Sequence, residues 1–161
     1  MMQLLAQRIE KTSAASALIA ISKHPRFVDK ARDVTKAFPE MDTVVWLVGY
    51  DTLIRILDKK YYRDTLEESL GEFWERNRLV CAIRGDDVEE RAYVERIKKG
   101  EVEGVPAKWA EYVKVIEPVG KEHSSTKARK AALEGQWEEL RRIVPEEIAA
   151  YIREEGLYME K

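Results

Sequence analysis

Three hydroxyl residues and two basic residues stand together in the stretch Ser124-Ser125-Thr126-Lys127-Ala128-Arg129. The stretch follows an apolar run ending at Ile116, and the residues after it have helical spacing, which predicts a helix start at the hydroxyl residues. Free backbone N–H groups and the helix dipole at such a start attract anions, and the forked guanidinium of Arg129 suits phosphate oxygens. The pattern favours a phosphate site, with a serine cap followed by solvated basic residues as the structural alternative.

A second candidate lies where an apolar run ends, in the stretch Val48-Gly49-Tyr50-Asp51-Thr52. Ligands of open parallel sheets bind past the carboxyl ends of the strands. Gly49 would let a ligand approach the backbone, and Asp51 can accept hydrogen bonds from ribose hydroxyls or an amino group. The alternative is a tight turn at Gly49, with Asp51 or Thr52 capping the following helix.

These candidates need a sheet to position them, and the apolar spacing alternates between the helical and the strand period. Helical spacing predicts helices over residues 1–11, 27–38, 51–57, 66–73 and from 124 onward, and a helix followed by an exposed loop over 86–110. Short apolar runs predict four strands, at 17–21, 43–48, 79–83 and 112–116. This order predicts a Rossmann-like α/β fold, a parallel sheet with helices on both faces, in a single domain over residues 1–161. Because the chain opens on a helix and four strands are few for this architecture, we expect the sheet to be incomplete at its N-terminal end.

The overall composition limits which kinds of partner the sequence predicts. Of 161 residues 45% are apolar and 36% are charged, and the 28 basic and 30 acidic residues nearly cancel. We therefore expect no nucleic-acid partner and no membrane association, and a soluble protein of the cytoplasm or nucleus. The single cysteine, Cys81, lies in an apolar run, where we expect a buried and inert thiol.

The stretch Ser124–Arg129 resembles the SSTxxR signature of the nicotinamide-nucleotide adenylyltransferases, with His123 where that family has isoleucine. Further similar segments are Val48–Leu53, Leu79–Arg84, Val144–Arg153 and Gly156–Tyr158. His24–Ala31 and Asp58–Tyr62 are closest to the fungal-type branch of the family. The resemblance spans nearly the whole chain.

The resemblance implies a reaction that joins ATP to nicotinamide mononucleotide and gives NAD and pyrophosphate. It implies in-line attack of the mononucleotide phosphate on the α-phosphorus of ATP, without a covalent enzyme intermediate and with Mg²⁺ carried by ATP. The residues that the resemblance assigns to the ATP phosphates are Ser124, Ser125, Thr126 and Arg129.

The resemblance also implies where the mononucleotide binds. Gly49 and Asp51 would line the ribose and nicotinamide region, and Phe27 falls near an aromatic that stacks on nicotinamide. Tyr62 is a second aromatic candidate, and Lys30 is a candidate phosphate contact. The alternatives are a core phenylalanine, a tyrosine that covers a rim and a solvated helix lysine.

The chain departs from the family in one respect. The family has an HxGH-type motif whose histidines bind the ATP phosphates, whereas the only histidines of this chain, His24 and His123, lie in no such motif. No catalytic residue and no metal ligand is therefore assigned.

We expect the chain to correspond to the carboxy-terminal two-thirds of the family domain. Alone, it should show little or no turnover, and it should be prone to self-association at an exposed sheet edge. Two alternatives are an inactive nucleotide-binding or interaction protein, and an adenylyltransferase for another acceptor such as phosphopantetheine.

Overall fold

The computed structural model describes residues 1–83, 88–116 and 124–159; His123 and Arg84 lie outside these ranges. The α-helices of the described residues are α1 (Met2–Thr12), α2 (Phe27–Ala37), α3 (Tyr50–Ile56), α4 (Leu66–Arg76), α5 (Val88–Lys98), α6 (Ser125–Leu133), α7 (Trp137–Ile143) and α8 (Glu146–Glu154). The strands are β1 (Val44–Gly49), β2 (Asn77–Ala82) and β3 (Val113–Ile116), and short 3-10 helices span Lys59–Tyr61 and Ala107–Tyr112. No helix in this part of the chain has the length and apolar character needed to cross a bilayer.

The three strands form one parallel sheet in the order β1-β2-β3. Val44 lies opposite Asn77, so β1 and β2 begin together, whereas β3 begins at Val113 opposite Leu79, the third residue of β2. Helices connect each strand to the next, as parallel neighbours require. The predicted Rossmann-like α/β fold is confirmed, and the described residues form three strands instead of the four predicted.

One face of the sheet forms the centre of a hydrophobic core. Val48, Leu79 and Cys81 lie on this face and pack with Leu53 of α3 and Leu70 of α4. The thiol of Cys81 is fully buried, as the sequence predicts, and burial raises its pKa to about 11. A thiol with so high a pKa is protonated at neutral pH, so it serves this core as a small apolar group.

The prediction of a buried strand at residues 17–21 is wrong. This segment forms no strand, and the side chains of Leu18 and Ile21 are 74% and 98% exposed. An apolar run becomes a buried strand only when its backbone pairs with a sheet edge and both of its faces are covered. Within the described sheet β1 pairs with β2 alone, and Val45 and Leu47 of β1 are also exposed. Whether this edge causes self-association stays a prediction.

Of the helix and exposed loop predicted over 86–110, the helix is confirmed as α5 and residues 99–104 are largely exposed, whereas Val105, Trp109 and Ala110 at the end of the stretch are buried. Gly100 and Gly104 adopt a φ of 70° each, a conformation that favours glycine and reverses the chain. The reversal brings Trp109 into the core, where its ring centroid lies 5.5 Å from that of Trp74. Because most residues of this stretch are polar, its few buried apolar residues are difficult to recognise from the sequence.

The described residues divide into two compact units. Ser22–Val119 forms the sheet unit, and Met1–Ile21 with Gly120–Lys161 forms a helical unit. The helical unit has its own core, which includes Ala128, Ala132, Leu140, Ile148 and Ile152. The prediction of a single domain over the whole chain stays a prediction.

Asn77, where α4 passes into β2, makes a buried connection between three elements. Its Oδ1 accepts a hydrogen bond of 2.7 Å from the indole Nε1 of Trp46 in β1. Its Nδ2 donates a hydrogen bond of 2.7 Å to the carbonyl oxygen of Phe73 in α4. An amide suits this position because it donates and accepts at the same time.

We predict that Asn77→Ala lowers the free energy of unfolding by about 1–3 kcal/mol, because it leaves a partly buried indole N–H without its acceptor. The matched control is Glu75→Ala, at an exposed position of α4 two residues before Asn77, which should change stability by less than about 0.5 kcal/mol. Urea unfolding of the wild type and both variants measures the difference. Equal midpoints for the two variants would contradict the role given to Asn77.

Candidate nucleotide site

A pocket of about 440 Å³ lies among the start of α2, the helix α3 and residues 61–62. Its wall contains three cationic and three aromatic side chains, which are Arg26, Lys30, Arg55, Phe27, Tyr61 and Tyr62. None of the described residues that line it is acidic. This cavity is named the α2–α3 pocket. Walls of this kind suit a ligand that combines an aromatic ring with negative charge.

Phe27 is the first residue of α2 and joins the pocket to the core. Its ring meets that of Trp46 edge to face, with 5.3 Å between the ring centroids. The Nζ atom of Lys30, one helical turn further, lies 4.7 Å from the centre of the Phe27 ring. Phe27 therefore packs against the core and also lines the pocket, and it holds a cation at its ring.

Tyr62 is a buried wall of the pocket rather than a cover at its rim. Only 8% of its surface is exposed, and its hydroxyl donates a hydrogen bond of 2.8 Å to the carbonyl oxygen of Ile56, near the end of α3. Burial raises the pKa of Tyr62 from 10.0 to about 12. The hydroxyl is used within the fold, so the ring is the part of this side chain suited to a ligand.

The cations near the pocket differ in whether the fold neutralises them. Arg26 donates to the carboxylate of Asp29 at 2.8 Å, and Lys60 lies 2.6 Å from the carboxylate of Asp58. The hydrogen bond from Lys60 lowers the pKa of Asp58. The ion pairs of the described residues include neither Lys30 nor Arg55. Their charges are the ones that a ligand in the pocket would meet.

The end of β1 leads into α3, and neither Gly49 nor Asp51 is among the described residues that line the pocket. Gly49 is the N-cap of α3 without a side-chain cap, so the prediction that Asp51 or Thr52 caps this helix is wrong. A Cβ atom at Gly49 would meet nothing within 4 Å, and its φ of −84° suits any residue. Asp51 is exposed in the first turn of α3, and Thr52 beside it lines the pocket.

The predicted phosphate stretch begins α6 in the helical unit. Ser124 is the N-cap, and its Oγ accepts a hydrogen bond of 3.1 Å from the backbone N–H of Lys127. The residues predicted to hold phosphate are all exposed: Ser124, Ser125, Thr126 and Arg129. Helix α6 buries its opposite face through alanines. The predicted helix start is confirmed, and the phosphate contacts stay a prediction.

The structure brings Phe27, Lys30 and Tyr62 into one pocket, although they are up to 35 positions apart in the chain. Sequence reasoning missed Arg55, which lines the same pocket. The signal was present, because Arg55 follows Thr52 by three residues, a spacing that places both on one side of a helix.

The histidine before the pocket has a local role. The Nε2 atom of His24 lies 3.3 Å from the carboxylate of Asp33 in α2. This contact joins the residue before Pro25 to α2. Within the described ranges, no group of three or more His, Cys, Asp and Glu side chains could hold a metal ion.

Comparison with known proteins supplies one relative. No protein-family model and no solved structure matches the chain. A protein of the fission yeast Schizosaccharomyces pombe, named "Putative nicotinamide mononucleotide adenylyltransferase", is 38% identical over 143 residues. The match covers 84% of this chain and 57% of the yeast protein, so the chain spans little more than half of that relative. The resemblance to nicotinamide-nucleotide adenylyltransferases is confirmed by this similarity.

We predict that Tyr62→Phe is less stable than the wild type by about 1 kcal/mol at neutral pH, because the carbonyl of Ile56 loses its donor. The folded state favours the neutral phenol, so the contribution of Tyr62 is complete below pH 10 and is lost as the pH rises toward 12. The difference between wild type and variant should therefore shrink over that range. Denaturant unfolding at neutral and at alkaline pH measures it. A difference that stays constant to pH 12 would contradict the burial of this hydroxyl.

Proposed function

We propose that this chain binds nicotinamide mononucleotide and ATP and contributes these contacts to the synthesis of NAD by adenylyl transfer. The observation that carries the proposal is the 38% identity to the fission yeast protein with that name. The proposal transfers to this chain the activity named for a longer relative, and the match covers 57% of that relative.

The α2–α3 pocket supports the mononucleotide part of the proposal. A pyridine ring would rest against Phe27 and Tyr62, and Lys30 would meet the phosphate. Gly49 leaves open space at the end of β1, and Asp51 beside it would accept hydrogen bonds from the ribose hydroxyls.

The start of α6 supports the ATP part. The hydroxyl of Ser124 caps the helix through the N–H of Lys127, which leaves the other backbone N–H groups of the first turn and the positive end of the helix dipole for phosphate oxygens. The exposed guanidinium of Arg129, one turn further, would add a forked pair of donors. Mg²⁺ would arrive with ATP, bound to its phosphates.

The proposed reaction needs little covalent chemistry from the protein. An oxygen of the mononucleotide phosphate attacks the α-phosphorus of ATP, a new P–O bond forms, and the bond to the β-phosphate breaks as pyrophosphate leaves. Such a transfer requires that the two anions are in line and that the charge on the leaving group is offset. Backbone N–H groups and Arg129 at the start of α6 are suited to that second task.

A second candidate function is nucleotide binding without turnover, and a specific observation favours it. The sequence contains no HxGH motif, and His24 is engaged with Asp33. A chain without those histidines has fewer groups that stabilise the transition state than the family has. Binding and turnover therefore have to be measured separately.

We predict that calorimetric titration shows binding of ATP and nicotinamide mononucleotide, while a pyrophosphate-release assay on the same chain shows turnover at or near background. The reason is that ground-state contacts are present and the histidines that act on the transferred phosphate are absent. If neither nucleotide binds, the proposed function is wrong. If NAD forms at a robust rate, the binding-only alternative is wrong instead.

We predict that Arg129→Ala weakens ATP binding about tenfold or more, because charge-assisted hydrogen bonds to phosphate are lost. The matched control is Lys130→Ala, which removes the same charge one residue further along α6, where Lys130 faces Glu134 at 3.8 Å. This control should change the affinity for ATP only slightly. Equal effects of the two substitutions in calorimetry would remove Arg129 from the phosphate site.

A further inference from the structure

We infer that Arg55 makes the α2–α3 pocket selective for a pyridine mononucleotide whose ring carries a carboxylate, in preference to the carboxamide form. The inference rests on the proposed function, since it takes the pocket as the mononucleotide site. It assigns a selectivity role to a residue of α3 that no sequence motif marks.

Two positive charges of the pocket wall remain outside the ion pairs that the fold makes. Arg26 is held by Asp29, with Nε and Oδ2 2.8 Å apart. Lys30 is placed against the Phe27 ring, and Arg55 is exposed on α3 and lines the same cavity. Lys30 and Arg55, the two wall cations outside ion pairs, therefore face one cavity without a carboxylate among its described wall residues.

The two possible ligands differ in the number of their anionic groups. Both mononucleotides carry one phosphate and one positively charged pyridine ring. The carboxamide form thus offers one anionic group, whereas the carboxylate form offers two. A site with two unneutralised cations is complementary to the second form, because each cation then meets an anion.

Lys30 and Arg55 differ in the anion that each suits, the phosphate or the carboxylate of the ligand. Lys30, at the start of α2, is a point charge suited to a phosphate. The guanidinium of Arg55 is planar and forked, and it matches a carboxylate with two parallel N–H donors. A carboxamide offers a single neutral oxygen to the same fork and would leave part of it unsatisfied.

The test is a calorimetric titration of the chain with nicotinate mononucleotide and with nicotinamide mononucleotide. We expect the carboxylate form to bind about tenfold more tightly. Arg55→Gln should bring the two affinities close together, mainly by weakening the carboxylate form, and Arg55→Lys should restore part of the preference. Lys30→Gln should weaken both ligands alike, since both carry the phosphate.

Arg63→Gln is the matched control, because Arg63 is exposed and lies outside the wall of the pocket. It removes the same charge and should leave the ratio of affinities unchanged. Thermal unfolding of each variant establishes that it is folded.

The outcomes separate the inference from the proposed function. Equal affinities, or tighter binding of the carboxamide form, would overturn the inference and leave the proposed function intact. A preference that survives in Arg55→Gln, or is lost equally in Arg63→Gln, would also overturn it. If neither mononucleotide binds, the proposed function itself fails.

Discussion

The side chain of Asn77 is buried and holds the indole of Trp46 and the end of α4 with its two hydrogen bonds. The α2–α3 pocket depends on this arrangement, because Trp46 supports the ring of Phe27 and Phe27 in turn holds the ammonium group of Lys30. A single amide at the junction of α4 and β2 is thus connected, through two aromatic rings, to a charge in the wall of the cavity. The position of this charge therefore depends on packing within the core.

The electrostatic character of the pocket arises from what the fold has already neutralised. Two nearby basic residues, Arg26 and Lys60, are paired with carboxylates of their own segments. Counting basic residues in the sequence would treat all the cations as equal, although of the three described cations that line the pocket only Lys30 and Arg55 are outside ion pairs. An almost neutral chain can therefore contain a local site for anions, because the net charge of a protein does not determine the field inside one of its cavities.

The sequence predicted well what depends on local periodicity. The strand β1, the helix α2 and the helix start at Ser124 follow from apolar spacing and cap chemistry, which neighbouring residues determine. The failures depend on distant partners. The apolar run at 17–21 has the pattern of a buried strand without the pairing of one, and Trp109 is buried because the glycine turns before it bring it to Trp74. The lining of the pocket was predicted in part, since the resemblance indicated Phe27, Lys30 and Tyr62, whereas Arg55 lies outside the segments that carry the resemblance.

The cap at Ser124 has a consequence for how the start of α6 could change over evolutionary time. Its hydroxyl is engaged with the N–H of Lys127, so an anion at this end of the helix would be met largely by peptide groups. Peptide groups are the same whatever side chain they carry. Residues 125 and 126 could then drift among small polar types while the anion keeps its donors, provided that position 124 retains a side chain able to cap. Selection would then act most strongly on residue 124 and on Arg129, and least on residues 125 and 126.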